Sequence, residues 1–272
     1  MSNSPVTQTL SNSMVVACLG ASHTEAKGGG SYDWIGDLQS RPQNASVRFV
    51  NLGVGGDLAY NALKRLSMVI QCHPNKVVVL IGTNDVVTTI FQNARRFLGT
   101  WKRLPQEPSP TWYEENLRQI VRRLNNETTA HVALCSLAVI GEDPESMDTP
   151  QREVNRRIEE YNAIIKRIAR EENVGYIPFY ERMHEQIVAS PGRAFTEFSF
   201  LSMYRDAFRL LVLHRSLDEV GTQNGWRFHS DGIHLNSRSG KILADLVQEF
   251  AATLCMRGSI GPRSMFVLSV RR

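Results

Sequence analysis

Short apolar runs alternate with amphipathic segments along most of the chain. Five runs are nearly continuous in apolar residues, at 14–19, 47–52, 76–81, 131–137 and 175–179. Such runs are typical of strands that are buried on both faces of a parallel sheet. Apolar residues between them recur at helical spacing, so the pattern predicts an α/β fold with a doubly wound, five-stranded parallel sheet. Pro178 indicates that the fifth strand lies at an edge of this sheet.

The same pattern predicts several helices. Apolar residues at 154, 158, 161, 165 and 168 indicate a long amphipathic helix, and those at 58, 62, 63, 66 and 70 indicate another. A capping box, Thr111-x-x-Glu114, predicts a helix that begins at Thr111, and Ser237 begins the last helix. No element is predicted for residues 88–110.

The connection between the fifth strand and the last helix is longer than such connections usually are. Residues 182–228 are rich in aromatic and aliphatic side chains, but they also carry charges that exclude a membrane span. Three interpretations of this insertion are open: a lid or acyl-pocket wall, a dimer surface, and ordinary core packing.

Size and composition fit one large α/β domain. The chain has 272 residues, of which 42% are hydrophobic, and such a chain can bury a full core. We expect a flexible N-terminal segment at 1–13, a single domain at 14–257 and a C-terminal tail at 258–272. The net charge is only +4 and basic residues are interleaved with acidic ones, which argues against nucleic-acid binding.

The cysteines, the glycines and the N-terminus each argue against a class of protein. The four cysteines are isolated, which disfavours a zinc site. The glycines at 28–30 match neither the G-x-G-x-x-G nor the G-x-x-x-x-G-K-[ST] nucleotide-binding motif. From the cysteines and the glycines together we expect no metal and no cofactor. We see no secretory signal and no apolar run of membrane-spanning length. We therefore expect a cytoplasmic protein with a small-molecule substrate, and a homo-oligomer is left open.

Small and polar residues directly follow the first three predicted strands. The clusters read Gly20-Ala21-Ser22, Gly53-Val54-Gly55-Gly56-Asp57 and Gly82-Thr83-Asn84-Asp85. Taken alone, Ser22 is typical of a helix cap and Asn84 of a turn. The carboxyl ends of parallel strands meet at one edge of a sheet, however, and ligands bind there in open α/β folds. The coincidence therefore predicts a site at this edge, with Ser22 as the candidate nucleophile.

A carboxylate and an imidazole lie three residues apart near the end of the chain, at Asp231 and His234. A neutral histidine is an effective general base when a carboxylate accepts a hydrogen bond from one ring nitrogen, because the other nitrogen is then free to take a proton. The pair is therefore a candidate base and orienting group for Ser22.

These four blocks, in this order, resemble the SGNH/GDSL hydrolase superfamily over about residues 14–256. The resemblance implies a flavodoxin-like three-layer α/β/α fold and a serine esterase that cleaves carboxylic esters. It assigns Ser22 as nucleophile, His234 as base and Asp231 as its partner, with an oxyanion hole formed by Ser22, Gly56 and Asn84. The absence of a G-x-S-x-G elbow argues against the ordinary α/β-hydrolase family.

Two residues depart from the family pattern, and two alternative functions stay open. Ala21 replaces the family's usual aspartate before the nucleophile. That aspartate is not a member of the triad, so we expect catalysis to survive; the replacement bears on the rigidity of the loop and on substrate preference. His23, directly after the nucleophile, is predicted to be a surface loop residue. An acyltransferase would use the same acyl-enzyme with another acceptor, and a non-catalytic binding protein would keep the crevice without turnover.

Overall fold

A five-stranded parallel sheet forms the centre of the protein. The computed structural model describes residues 13–26 and 30–253, and the sheet has the order β2-β1-β3-β4-β5. The strands are β1 Met14–Gly20, β2 Val47–Gly53, β3 Lys76–Leu80, β4 His131–Cys135 and β5 Gly175–Ile177. Every neighbouring pair is parallel, so the predicted α/β fold is confirmed. The strand before Pro178 lies at an edge, as expected.

Twelve α-helices connect and flank the strands within the described residues. They are α1 Ser22–Glu25, α2 Trp34–Ser40, α3 Ala59–Lys64, α4 Ser67–Gln71, α5 Thr83–Ile90, α6 Gln92–Trp101, α7 Pro110–Glu127, α8 Thr149–Glu171, α9 Phe179–Val188, α10 Phe200–Leu211, α11 Leu217–Gln223 and α12 Ser237–Ala252. A short 3-10 helix covers Pro42–Asn44.

The order of the strands determines which face of the sheet each helix covers. The chain moves from β1 to β2 in one direction, and then from β2 through β3 and β4 to β5 in the other. Right-handed crossovers therefore place α2 on one face and the helices that follow β2, β3 and β4 on the opposite face. In agreement, α2 and α9 contact α12, whereas α7 contacts α3 and α8. The central strands are buried between the two layers, with Val16, Ala17, Cys18 and Leu19 fully inaccessible.

Helix boundaries show where local sequence signals were wrong. The capping box at Thr111 is not used: α7 begins one residue earlier, and the Ser109 side chain accepts a hydrogen bond from the Trp112 N–H at 3.2 Å. The Glu114 carboxylate instead forms ion pairs with Arg118 and Arg167. The single helix expected after Gly56 is divided into α3 and α4, and most of the segment without a predicted element is helical.

The expected terminal segments lie almost entirely outside the described residues, apart from Ser13. Across 13–26 and 30–253, no helix combines the length and the apolar character that crossing a membrane requires.

Candidate active site

The three polar clusters meet at one edge of the sheet because their strands end at the same level. In the strand register, Gly20 at the end of β1 pairs with Gly53 of β2 and with Leu80 of β3. The loops that begin there carry the candidate residues of all three clusters. The turn before α12 lies at the same edge. The hydrogen bond between the His23 side chain in α1 and the Ile233 carbonyl in the turn shows this.

Ser22, His234 and Asp231 form a continuous chain of hydrogen bonds. The Ser22 Oγ atom lies 3.0 Å from His234 Nε2, and His234 Nδ1 lies 2.7 Å from Asp231 Oδ2. Since an ionised carboxylate only accepts hydrogen bonds, the Nδ1–H donates to Asp231 and leaves Nε2 to accept from the serine hydroxyl. The structure thus brings the three residues of the predicted triad together in the order that a serine hydrolase requires.

Backbone contacts hold Asp231 in place. Its Oδ1 atom accepts hydrogen bonds from the N–H groups of Ile233 at 2.9 Å and of His234 at 2.8 Å. Gly232 makes this tight turn possible: its φ is +95°, and a Cβ there would lie within 2.7 Å of Trp226 and Phe195. A substitution at this position would therefore displace the aspartate from the histidine.

The Asp231–His234 pair shifts the pKa of both partners. Burial disfavours the charged form of Asp231, but the charge of His234 and the hydrogen bonds from its ring and the backbone outweigh burial, and they hold the pKa of Asp231 well below its usual range. Burial also disfavours the imidazolium form of His234. The Asp231 charge and hydrogen bond outweigh that penalty and raise the pKa of His234 above its ordinary value. The pair favours a histidine that takes up a proton readily.

The candidate oxyanion-hole donors lie on the three neighbouring loops. Within the described residues, the backbone N–H groups of Ser22 and Gly56 make no hydrogen bond to the protein. Asn84, in the first turn of α5, donates from Nδ2 to the Asp57 carbonyl at 3.0 Å. Its amide nitrogen carries a second hydrogen, which can serve another acceptor. The structure therefore links Asn84 directly to the loop that carries Gly56.

Buried charges fix that loop. Asp57 is 3% exposed, and its carboxylate accepts from Arg65 Nε at 2.7 Å and from Lys102 Nζ at 2.9 Å. The adjacent Gly56 has a φ of +76°, and a Cβ at this residue would collide with the Trp101 ring. No local sequence pattern indicates these cations, because they are eight and 45 residues away along the chain.

Asp85 has a structural position beside the site. Its carboxyl group is buried and accepts from the Ala59 N–H at 3.1 Å, at the start of α3. Burial raises the pKa of Asp85 to about 8, and this effect outweighs the backbone hydrogen bonds. The residue thus joins the α5 turn to α3 and does not contact the triad.

His23 is buried, so its prediction as a surface residue is wrong. Its side chain is 3% exposed, and Nε2 lies 3.0 Å from the Ile233 carbonyl oxygen. The α1 turn places this ring under the loop that precedes α12. No local pattern indicates such burial, because it depends on a segment 210 residues away.

Glu25, in the same turn, contacts the loop that carries Gly56. Its Oε2 atom accepts from the Gly55 N–H at 2.8 Å. The four residues of α1 therefore contact the loop of the candidate base through His23 and the loop of Gly56 through Glu25. Ser22 stands beside both contacts.

A buried hydrogen-bonded pair, Glu142 and His229, lies behind the loop that carries Asp231 and His234. The Glu142 carboxylate accepts from His229 Nδ1 at 3.0 Å and from the Phe228 N–H at 2.7 Å. The other ring nitrogen of His229 faces the Val139 carbonyl at 2.9 Å. No local sequence pattern indicates this pair, because its members are 87 residues apart.

The aromatic insertion reaches the site through two sets of contacts. Phe195 packs against Trp226 with ring centroids 6.5 Å apart, and both rings surround Gly232. The second set of contacts is polar: Asn224 donates to the Asp206 carboxylate at 2.8 Å and to the Ser230 carbonyl at 3.0 Å. Part of the insertion thus braces the residue that precedes Asp231.

The described residues contain no group of three or more histidine, cysteine, aspartate or glutamate side chains placed to hold a metal ion. Cys18 and Cys135, which lie in β1 and β4, are buried. Burial raises the pKa of both thiols well above the ordinary value.

Comparisons with solved structures show similarity to esterases. The acetyl xylan esterase AlAXEase is 20% identical, with a TM-score of 0.59 over 88% of this chain and 100% of that one. Axe2, an acetylxylan esterase from Geobacillus stearothermophilus, is 17% identical, with a TM-score of 0.59 over 89% of this chain and 95% of that one. LAE5, described as an α/β hydrolase enzyme from the metagenome of Lake Arreo, Spain, is 17% identical, with a TM-score of 0.56 over 87% and 94%. At these identities the likeness establishes the fold.

Sequence comparison identifies the family. No curated protein matches the chain. The model of the GDSL-like Lipase/Acylhydrolase family matches residues 18–200, a span that contains the blocks of Ser22, Gly56 and Asn84. Because this match covers well over half of the chain and agrees with the observed fold, the protein belongs to the GDSL-like lipase/acylhydrolase family and is a carboxylic-ester hydrolase.

Proposed function

We propose that the protein is a serine esterase that cleaves carboxylic esters through an acyl-enzyme on Ser22. The observation that carries this proposal is the hydrogen-bonded chain from Ser22 Oγ through His234 to Asp231, with distances of 3.0 and 2.7 Å. Asp231 and His234 lie beyond the span of the family match, so the geometry supports their roles independently of it.

The first step is attack on the ester carbonyl. As the bond forms between Ser22 Oγ and the carbonyl carbon, the hydroxyl proton moves to His234 Nε2, and Asp231 stabilises the resulting imidazolium. The negatively charged carbonyl oxygen accepts hydrogen bonds from the N–H groups of Ser22 and Gly56 and from the side-chain amide of Asn84. The Asp57 loop holds Gly56 and Asn84 in advance, so little reorganisation of these two donors accompanies the charge.

The second step releases the alcohol and then the acid. When the C–O bond breaks, His234 gives its proton to the leaving alkoxide and an acyl group remains on Ser22. Water then attacks this ester, His234 removes a proton from the water, and the same proton returns to Ser22 as the acid departs. The enzyme ends each turnover unchanged.

An acetyl group is the first acyl group to test. Two of the similar structures are esterases of acetylated xylan by their descriptions. Three others are described as catalytic mutants of Axe2, in which a serine, an aspartate or a histidine is changed. The same three residue types form the triad proposed here.

The test is hydrolysis of p-nitrophenyl esters from acetate to longer acyl chains by the wild type, Ser22→Ala and His234→Ala. We expect turnover that both variants lose while their circular dichroism spectra stay unchanged. Ser67→Ala and His214→Ala change exposed residues and serve as matched controls. Turnover that does not depend on Ser22 would refute the proposal. Transfer of the acyl group to an added alcohol in preference to water would instead favour an acyltransferase.

A further inference from the structure

His23 joins the nucleophile segment to the base segment by a second link. Ser22 Oγ contacts His234 Nε2 at 3.0 Å, and the next residue, His23, contacts the carbonyl of Ile233 at 3.0 Å through its own Nε2. Ile233 directly precedes His234. Two adjacent residues of α1 are therefore bonded to two adjacent residues of the turn, and movement of one segment along the other breaks both links.

The direction of this second hydrogen bond is determined by its acceptor. A backbone carbonyl oxygen only accepts, so His23 carries its hydrogen on Nε2 and donates it. The backbone of His23 is itself held, because Trp34 Nε1 donates to the His23 carbonyl at 2.8 Å. The donor thus projects from a fixed backbone in a buried position.

The ring of His23 also restricts the orientation of the candidate base. The His23 and His234 rings pack edge to face, with centroids 5.8 Å apart and planes at 89°. Rotation of the His234 imidazole away from Ser22 would disturb this contact. The ring contact and the hydrogen bond therefore both restrict the position of His234 Nε2 relative to Ser22 Oγ.

The site also requires that His23 be uncharged. The titratable groups that face it are His234, His229 and Asp231. Burial, together with the neighbouring His234, lowers the pKa of His23 to about 3. A cation here would oppose the imidazolium that His234 becomes during attack, whereas a neutral imidazole donates a hydrogen bond without that penalty.

We propose that His23 is a positioning residue, which sets the distance and orientation of the His234 imidazole relative to Ser22 through its hydrogen bond to the Ile233 carbonyl. This inference rests on the proposed esterase function, in which those two atoms exchange a proton.

Two substitutions separate positioning from packing. His23→Gln keeps an uncharged N–H donor, whereas His23→Leu fills the space and removes the donor. With p-nitrophenyl acetate we expect His23→Leu to lower kcat on the order of 100-fold, the effect of a displacement of about 1 Å between reacting groups, with KM nearly unchanged. His23→Gln should recover most of the turnover. His184→Leu, which removes a half-buried ring stacked on Tyr180, is the control and should leave kcat unchanged.

Proton NMR gives a second readout that does not depend on ester hydrolysis. The low-field signal of the His234 Nδ1–H in its hydrogen bond to Asp231 should persist in His23→Gln, and should broaden or shift in His23→Leu. In the wild type with 15N-labelled histidine, His23 should keep a proton on Nε2 and should not titrate between pH 5 and 9. This wild-type measurement decides the matter even if His23→Leu fails to fold.

The outcomes distinguish the two proposals. A wild-type kcat and an unchanged low-field signal in His23→Leu would overturn the positioning role, as would a His23 ring that titrates near neutrality. Equal losses of kcat in the Gln and Leu variants, matched by equal losses in melting temperature, would reduce His23 to a packing residue. If the wild type shows no hydrolysis that depends on Ser22, the esterase proposal fails, and the NMR signals still test the position of His234.

Discussion

The carboxyl edge of the sheet differs from the aromatic insertion in the side chains that it exposes and in those that it pairs. At the edge, polar groups are partly buried and paired with one another, as in the chain from Ser22 to Asp231. In the insertion, α10 exposes large apolar side chains to solvent, among them Leu201 at 79%, Tyr204 at 72% and Phe208 at 53% exposure. The proposed chemistry thus lies at the edge with paired polar groups, and the exposed apolar side chains of α10 lie elsewhere.

The two regions are joined through the buried side of α10. Asp206 is 5% exposed and pairs with Arg205 and Arg209, and Asn224 connects it to the Ser230 carbonyl. One face of the insertion thus supports the turn that carries Asp231, whereas its opposite face is exposed in the described structure. We infer that the two faces contribute separately to stability and to catalysis.

Asp231→Asn should have the largest effect. An amide presents its N–H or its oxygen to His234 without charge, so the histidine loses its fixed tautomer and kcat should fall by about 10⁴-fold. Steady-state kinetics and circular dichroism should show an inactive, folded protein. Asp148→Asn, an exposed carboxylate without a side-chain cap bond, is the control. A loss of less than tenfold would remove Asp231 from the site.

Asn84→Ala should follow, because it deletes a single donor and leaves the triad intact. Removal of one oxyanion-hole donor typically costs on the order of 10²–10³ in kcat. KM should change little, and thermal unfolding should stay close to that of the wild type. Asn126→Ala, an exposed residue of α7, provides the comparison, and near-normal turnover of Asn84→Ala would exclude this side chain from the oxyanion hole.

Asp206→Ala should affect stability more than chemistry. The substitution leaves two arginines and Asn224 without their buried partner, and hydrogen bonds to charged groups are each worth roughly 1.5–3 kcal/mol. We expect the free energy of unfolding to fall by about 2–3 kcal/mol, with kcat lowered only modestly. Urea unfolding measures this loss. Asp245→Ala removes a carboxylate that is 68% exposed and should be nearly neutral; an equal loss in both variants would contradict the proposed brace.

The pH dependence tests the charge at the edge. His234 must be neutral to accept the serine proton, and its pKa lies above the ordinary histidine value because the charge and hydrogen bond of Asp231 outweigh burial. Turnover should therefore be lost as pH falls through that raised pKa, and the acid limb of kcat/KM should lie above the usual range of a histidine. The residual activity of Asp231→Asn should show this limb at lower pH. An acid limb that stays at the same pH in Asp231→Asn would contradict the assignment of His234 as base.

The exposed face of α10 should give the smallest effect. Leu201→Ser, Tyr204→Ser and Phe208→Ser should each change the free energy of unfolding by about 0.5 kcal/mol or less, as surface substitutions usually do, and leave hydrolysis of p-nitrophenyl acetate unchanged. A rise in KM for longer acyl chains would favour an acyl-pocket wall. A fall in molecular mass in solution would favour a dimer surface. Losses of several kcal/mol would instead indicate core packing.

The sequence predicts the sheet, and it predicts that the residues of the proposed triad share one edge, because both predictions depend on short segments. Five apolar runs gave the strands to within about two residues, a usual margin for boundaries, and the residues that follow them along the chain share an edge by the geometry of parallel strands. The burial of His23, the Glu142–His229 pair and the cations on Asp57 depend on segments distant in sequence. Local signals that competed with tertiary contacts also misled, as with Thr111, where Ser109 caps the helix.

Labelling with diethyl p-nitrophenyl phosphate tests the central claim most directly, because the phosphoryl adduct on a catalytic serine is stable. Peptide mass spectrometry should find one adduct per chain, on the peptide that contains Ser22, in proportion to the loss of hydrolysis. Labelling should be abolished in Ser22→Ala and strongly slowed in His234→Ala. An adduct on another residue, or full hydrolytic activity in completely labelled protein, would contradict the assignment of Ser22 as the nucleophile.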